Sequence, residues 1–201
     1  MLRIIYRYSS LDTHVAFLQL KQDYIHISQW MIAFWVHVFT SILVLLAGFT
    51  QFSKTLLRKY PKLHRTLGYI YVIDILMVTG PAGLLMSFYA NGGISSRIAF
   101  TLLSILWISS TALAWYYAVK KKFNQHRIFM IRSFALTLSA ISLRLWKMFF
   151  AGFTDIAPMD RYRIIAWLGW VLNLIIAEYI IYNYYRTKNI SRQGGKALKP
   201  I

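Results

Sequence analysis

An all-α, polytopic transmembrane helical bundle of about five spans is the fold class this sequence predicts, on its composition, its apolar run lengths and the placement of its basic residues. Of 201 residues, 58% are hydrophobic and 14% charged, with a mean hydropathy of +0.48, outside the balance of a water-soluble domain. A hydrocarbon core about 30 Å thick takes roughly 20 apolar residues per helix. Runs of that length cover about Trp30–Phe52, His64–Tyr89, Ile98–Val119, Arg127–Phe150 and Ile164–Tyr185. Lys54, Arg58, Lys59, Lys62 and Arg65 follow the first run, Lys120, Lys121, Lys122 and Arg127 the third, and Arg186, Lys188, Arg192, Lys196 and Lys199 the fifth. These segments hold no acidic residue, whereas Asp12, Asp23, Asp155 and Asp160 all fall on the other side. The positive-inside rule then predicts an outside N-terminus and a cytoplasmic C-terminus.

Taken in order, residues 1–29 form an extracytoplasmic segment in which Asp12 is expected to cap a short amphipathic helix carrying Val15, Leu18 and Ile25. Arg3 and Arg7 are followed by no apolar core or small-residue cleavage site, so no cleaved signal peptide is read. Residues 30–185 are the five-span domain. Trp30 and Trp35 mark the outer boundary of the first span, and Pro61 suits the first turn of the second. That second span is interrupted at Gly80-Pro81 and ends at the turn Asn91-Gly92-Gly93. The fourth carries Arg132, Ser133, Thr137, Ser139, Ser142, Arg144 and Lys147, a polar density that fits a helix inside the bundle or lining a wet cavity. Residues 186–201 read as a basic cytoplasmic tail.

The formal charge of +17, from 23 basic and 6 acidic residues, would suit nucleic acid, but its confinement to one side reads instead as topology and contact with anionic headgroups. Nucleic acid is therefore not an expected partner. The absence of cysteine excludes disulfides, iron–sulfur clusters and thiolate metal sites. No phosphate-binding glycine loop, nucleophile elbow, zinc-protease helix or catalytic carboxylate pair is present, so catalytic residues stay unknown.

Ionisable residues within spans cost free energy and call for partners. Asp74, Arg132 and Glu178 fall in the inner half at similar depth, so Arg132 is expected to pair with Asp74 or Glu178, either as a structural ion pair or as part of a proton or ion path. Arg144 belongs to the same polar set. Among histidines, His64 and His126 are matched in depth: Lys62-Leu63-His64-Arg65 and Asn124-Gln125-His126-Arg127 each follow a basic loop and open an outward-going helix, a weak internal repeat. Both can serve as lipid-facing interfacial residues or as ligands of a haem b iron or a metal ion, since first-turn positions favour neutral imidazole. His37 lies deeper, with Ser41 as a hydrogen-bond partner and Met77 as a conceivable second ligand.

The elements Trp35-Val36-His37, His64-Arg65-Thr66-Leu67-Gly68-Tyr69, Ala90-Asn91-Gly92-Gly93, His126-Arg127-Ile128-Phe129-Met130-Ile131-Arg132-Ser133 and Arg144-Leu145-Trp146 resemble a family of uncharacterised multi-pass bacterial membrane proteins. The resemblance covers about Trp30 to Lys147. It implies a multi-pass plasma-membrane protein and draws attention to His37, His64, His126, Arg132 and Arg144, but it brings no reaction with it. Two functions therefore stand as expectations: a histidine-based haem or metal protein in redox or redox assembly, and a non-enzymatic transporter, sensor or scaffold using the polar fourth helix.

Overall fold

The computed structural model describes residues 8, 12–14 and 16–197, and of residues 16 and 187–197 the backbone alone. Its order is a 3-10 helix at Ala16–Lys21, then α1 (Ser28–Gln51), α2 (Lys54–Lys59), α3 (Pro61–Ile73), a π-helical turn at Asp74–Thr79, α4 (Gly80–Ser87), α5 (Ile94–Val119), α6 (Phe123–Thr137), α7 (Ser139–Phe153) and α8 (Pro158–Ala197). Among the described residues there is no strand. Five segments are long and apolar enough to cross a membrane: Ser28–Gln51, Pro61–Ser87, Ile94–Val119, Phe123–Phe153 and Pro158–Arg186.

Local chemistry explains most of the boundaries. Pro61 occupies the first turn of α3, where its missing N–H costs nothing. Ser53 caps the short basic α2 by accepting the Leu56 N–H at 3.2 Å. The second span ends in a turn where Gly92 and Gly93 adopt φ of 85° and 76°, a left-handed conformation that favours glycine. At its far end α8 continues past Arg186 through the basic residues to Ala197, so the expected tail is an extension of the fifth span.

α1 packs on α3 and α4, α4 on α5, α5 on α6 and α8, and both α6 and α7 on α8. The core draws Val44 and Ala47 from α1, Tyr71 and Val72 from α3, Ile75 from the π turn, Trp107 and Ala114 from α5, Met130 and Leu136 from α6, and Trp170 from α8. Leu43, Leu46, Ile73, Met77, Ile105, Ile175 and Ile176 point outward. That arrangement suits lipid as the solvent, where helices associate through close packing and internal hydrogen bonds rather than by removal of apolar surface from water. Gly48 permits one such approach: a Cβ there would meet the Phe134 ring at 2.6 Å.

Two expectations are corrected. The fourth span breaks at Leu138, and its polar residues divide: Ser133, Thr137 and Ser139 are buried, whereas Arg144 and Lys147 are exposed. Only the half nearer the basic loop is an interior polar helix. Asp12 accepts the His14 N–H at 2.8 Å, closing a turn instead of capping a helix. Nor does the N-terminal segment lie loose on a surface: Leu18 is fully buried with Tyr8, Trp30 and Phe34 against Leu85, Met86 and Tyr89. Lys21 fastens it by donating to the Tyr89 carbonyl and, at 2.6 Å, to Asn91 Oδ1. Val15, expected on this segment, lies outside the described residues.

Candidate functional site

At the basic end, α3 and α6 open alike. The His64 N–H donates to the Tyr60 carbonyl and the His126 N–H to that of Lys122, both at 3.0 Å, so each histidine stands in the same place in the first turn of its helix. His126 Nδ1 lies 2.9 Å from the Ala114 carbonyl. A carbonyl only accepts, so Nδ1 carries a hydrogen, and Nε2 is the nitrogen at which this ring would ligate. That is the orientation in which imidazole ligates a metal while its other nitrogen is held by the protein. His64 Nδ1 is buried with no hydrogen-bond partner. The two rings are close enough to interact electrostatically. Among the described residues no group of three or more His, Asp or Glu side chains is placed to hold a metal ion.

The second centre is made by the interruption read in the second span. Pro81 has no N–H, and its ring crowds the carbonyl four residues back. The helix widens ahead of it into the π turn, and the Gly80 N–H bonds to the Ile75 carbonyl. Gly80 is required here, since a Cβ would sit 2.2 Å from that same backbone oxygen. π turns often occur at functional positions, because the wider helix releases carbonyls and redirects side chains. The Thr79 carbonyl accepts His37 Nδ1–H at 3.0 Å. Thr79 Oγ1 contacts both Asp74 Oδ1 and, at 2.7 Å, Thr40 Oγ1, which lies 2.8 Å from the Val36 carbonyl. Asp74 is 8% exposed. It borders a groove of about 440 Å³ shared with Thr40, Thr66, Tyr69, Ile73 and Val78, and opening where Tyr69 and Ile73 are exposed. Gly83 makes room for His37, whose Cε1 would stand 3.1 Å from any Cβ placed there.

Between the centres lies a buried lock. Tyr71 Oη is 2.8 Å from both Ser133 Oγ and Thr137 Oγ1, Thr111 Oγ1 is 2.7 Å from Ser133 Oγ, and Trp107 Nε1 donates to Thr137 Oγ1 at 2.9 Å. Three spans are joined through hydroxyls that satisfy one another.

Arg132 pairs with Glu178, Nε–Oε1 at 2.5 Å and Nη2–Oε2 at 2.9 Å, a bidentate bond across α6 and α8. Asp74 does not join it; its carboxyl contacts Thr79 of the π turn instead. Arg144 bonds back to the Ala140 carbonyl of its own helix, and its charge, like that of Asp74, reaches His37 electrostatically. His37 therefore keeps company with Asp74 and Arg144, while its expected partners fall away. Ser41 donates to the Val38 carbonyl at 3.2 Å, and Met77, 73% exposed, faces outward. Sequence reasoning missed Thr40, Thr79 and Tyr71. The one available signal was a hydroxyl at Thr79 directly before Gly80-Pro81, where a carbonyl is freed.

The family model described as a predicted membrane protein (DUF2306) matches residues 34–181. That span includes both polar centres, the lock and the Arg132–Glu178 pair. No curated protein and no solved structure matches the chain.

Proposed function

The chain belongs to this DUF2306 family of predicted membrane proteins, and from that premise we propose that it is a redox or redox-assembly protein whose His64 and His126 ligate a haem iron at the basic end of the bundle. The observation that carries the reading is the His126 ring, fixed through Nδ1 to the Ala114 carbonyl, within electrostatic reach of a second imidazole, that of His64, whose Nδ1 is buried and unpartnered. Two donors suit an iron already held by four porphyrin nitrogens better than a bare ion that needs four protein ligands. Each histidine is followed by an arginine, Arg65 and Arg127, which would supply cations for the haem carboxylates. This basic end is assigned to the cytoplasm of a bacterial inner membrane, against anionic headgroups.

The alternative, a scaffold built on the fourth span, is favoured by one observation: Ser133 and Thr137 are fully engaged in the Tyr71 lock and hold three spans together.

Purification after expression with a haem precursor, followed by dithionite-reduced minus oxidised spectra and metal analysis, tests the haem reading. A Soret band that is lost in the His64→Ala/His126→Ala double variant is expected. Absence of both Soret band and stoichiometric metal overturns it, and so does a signal that survives the double substitution.

A further inference from the structure

Asp74 stands apart from the haem proposal. It is an acid within a span and makes no ion pair among the described residues, where Arg132 is taken by Glu178. Its surroundings can be counted hydrogen by hydrogen. Three oxygen–oxygen contacts run in a row: Asp74 Oδ1 to Thr79 Oγ1, Thr79 Oγ1 to Thr40 Oγ1, and Thr40 Oγ1 to the Val36 carbonyl. Each threonine brings one hydrogen, and the carbonyl brings none. With Asp74 ionised, two hydrogens must serve three contacts, so one contact is left with lone pairs facing each other. With Asp74 protonated, a third hydrogen completes the row, and the bonds run in one direction: carboxyl to Thr79, Thr79 to Thr40, Thr40 to Val36. Gain or loss of one proton therefore turns the Thr79 hydroxyl between Asp74 and Thr40, while Thr40 keeps donating to Val36.

We propose that Asp74, with the Thr79–Thr40 hydroxyl row, is a reversible proton-binding site inside the spans, reached from the bilayer through the groove beside α3. The carboxyl is nearly buried yet borders the groove, so a small lipid-soluble molecule can meet it. Few other charges bear on it. His37 is the sole ionisable residue of α1, α4 has none, and α5 has none between Arg97 and Tyr116. On α3 itself Tyr69 lines the groove and the Tyr71 hydroxyl is turned into the lock. Arg144 of α7 completes the set through its reach to His37. The hydroxyl row gives the protonated carboxyl its full complement of bonds.

The test uses dicyclohexylcarbodiimide, a lipid-soluble reagent that adds to protonated carboxyls. The carboxyl oxygen bonds to the central carbon, the proton passes to a carbodiimide nitrogen, and no atom leaves. The whole protein in phospholipid vesicles is treated between about pH 5 and pH 9, and the adducts are located by peptide mass spectrometry. The expected result is an adduct at Asp74 that forms at least about tenfold faster at the acid end, as the protonated fraction of a titrating acid dictates. Glu178, held as a carboxylate by Arg132, should stay unlabelled. Thr79→Val, which removes the one donor available to ionised Asp74, should move the profile toward higher pH, and Thr40→Val should move it the same way by less. If Thr79→Val fails to fold, Thr40→Val carries the comparison. No adduct at Asp74, an adduct rate flat across the pH range, or a wild-type profile in the folded threonine variants would overturn the proposal.

Discussion

The Arg132–Glu178 pair allows a worked prediction because its environment reverses the usual reasoning about exposed ion pairs. Their side chains are 30% and 47% exposed, and in water such a pair would contribute about 0–1 kcal/mol. Here the exposure is to hydrocarbon. At 1.5 Å per residue Arg132 stands about 14 Å from the start of α6, and Glu178 about 12 Å before Arg186, so both lie near the middle of a core about 30 Å thick. An unpaired charge at that depth costs about 2.5 to 3.5 kcal/mol on insertion scales. Arg132→Leu leaves Glu178 bare and should lower stability by about 2–3 kcal/mol. Glu178→Leu should cost less, since the long Arg132 side chain can reach toward headgroups while its guanidinium keeps the Phe129 ring, 5.1 Å away. The double leucine variant removes both charges and should be more stable than Arg132→Leu, with a coupling of at least about 1 kcal/mol. Unfolding of the purified protein by dodecyl sulfate in mixed micelles measures all four corners of the cycle. A double variant no more stable than Arg132→Leu would refute the pairing argument.

The remaining predictions concern topology, the lock, the π turn and the N-terminal segment. In this cysteine-free chain, single cysteines at Ser53 and Gln125 should resist an impermeant thiol reagent in intact cells while one at Thr154 reacts; the reverse pattern would invert the proposed orientation. Tyr71→Phe removes two hydrogen bonds but leaves Ser133 and Thr137 with other partners, so it should cost about 1 kcal/mol, whereas Thr137→Val also orphans the buried Trp107 N–H and should cost about 2–3 kcal/mol in the same assay. Equal costs would mean that the lock is not a connected unit. Gly80→Ala drives a methyl against the Ile75 carbonyl and should cost about 1–3 kcal/mol, and a neutral substitution would show that the π turn is absent. Burial, with help from nearby Arg97 and against Asp23, brings the Lys21 ammonium down from 10.5 to about 8. The unfolded segment then binds more protons than the folded one between about pH 8 and pH 10, so the packed segment gains stability as pH rises through that window. Thiol labelling at Leu18→Cys relative to exposed Leu20→Cys should fall from about pH 7 to pH 10, and a rising ratio would refute the linkage.

Much of this protein is legible in one dimension because the bilayer acts on each span separately. Length, hydropathy and Pro61 located five spans to within a few residues of Ser28–Gln51, Pro61–Ser87, Ile94–Val119, Phe123–Phe153 and Pro158–Arg186. Depth along a helix is likewise a count of residues, which is why His64 and His126, and Arg132 and Glu178, could be matched before any contact was known.

The choice among depth-matched partners was not a matter of counting. Asp74 and Glu178 were equal candidates for Arg132, and the azimuth of each side chain about its helix decided between them. At Asp74 the π turn, whose extra residue follows from Pro81 and Gly80, brings Thr79 against the carboxyl, and the further partners of Thr79 belong to α1. Thr40 and Thr79 are common residues in an apolar run until helix packing brings their oxygens within 2.7 Å. Sequence determined which residues are in the membrane and how deep they lie, since that depends on transfer of single residues from water to hydrocarbon. Tertiary structure decided which polar groups meet, because hydrogen bonding needs direction and contact across helices, and neither is carried by the order of residues within one span.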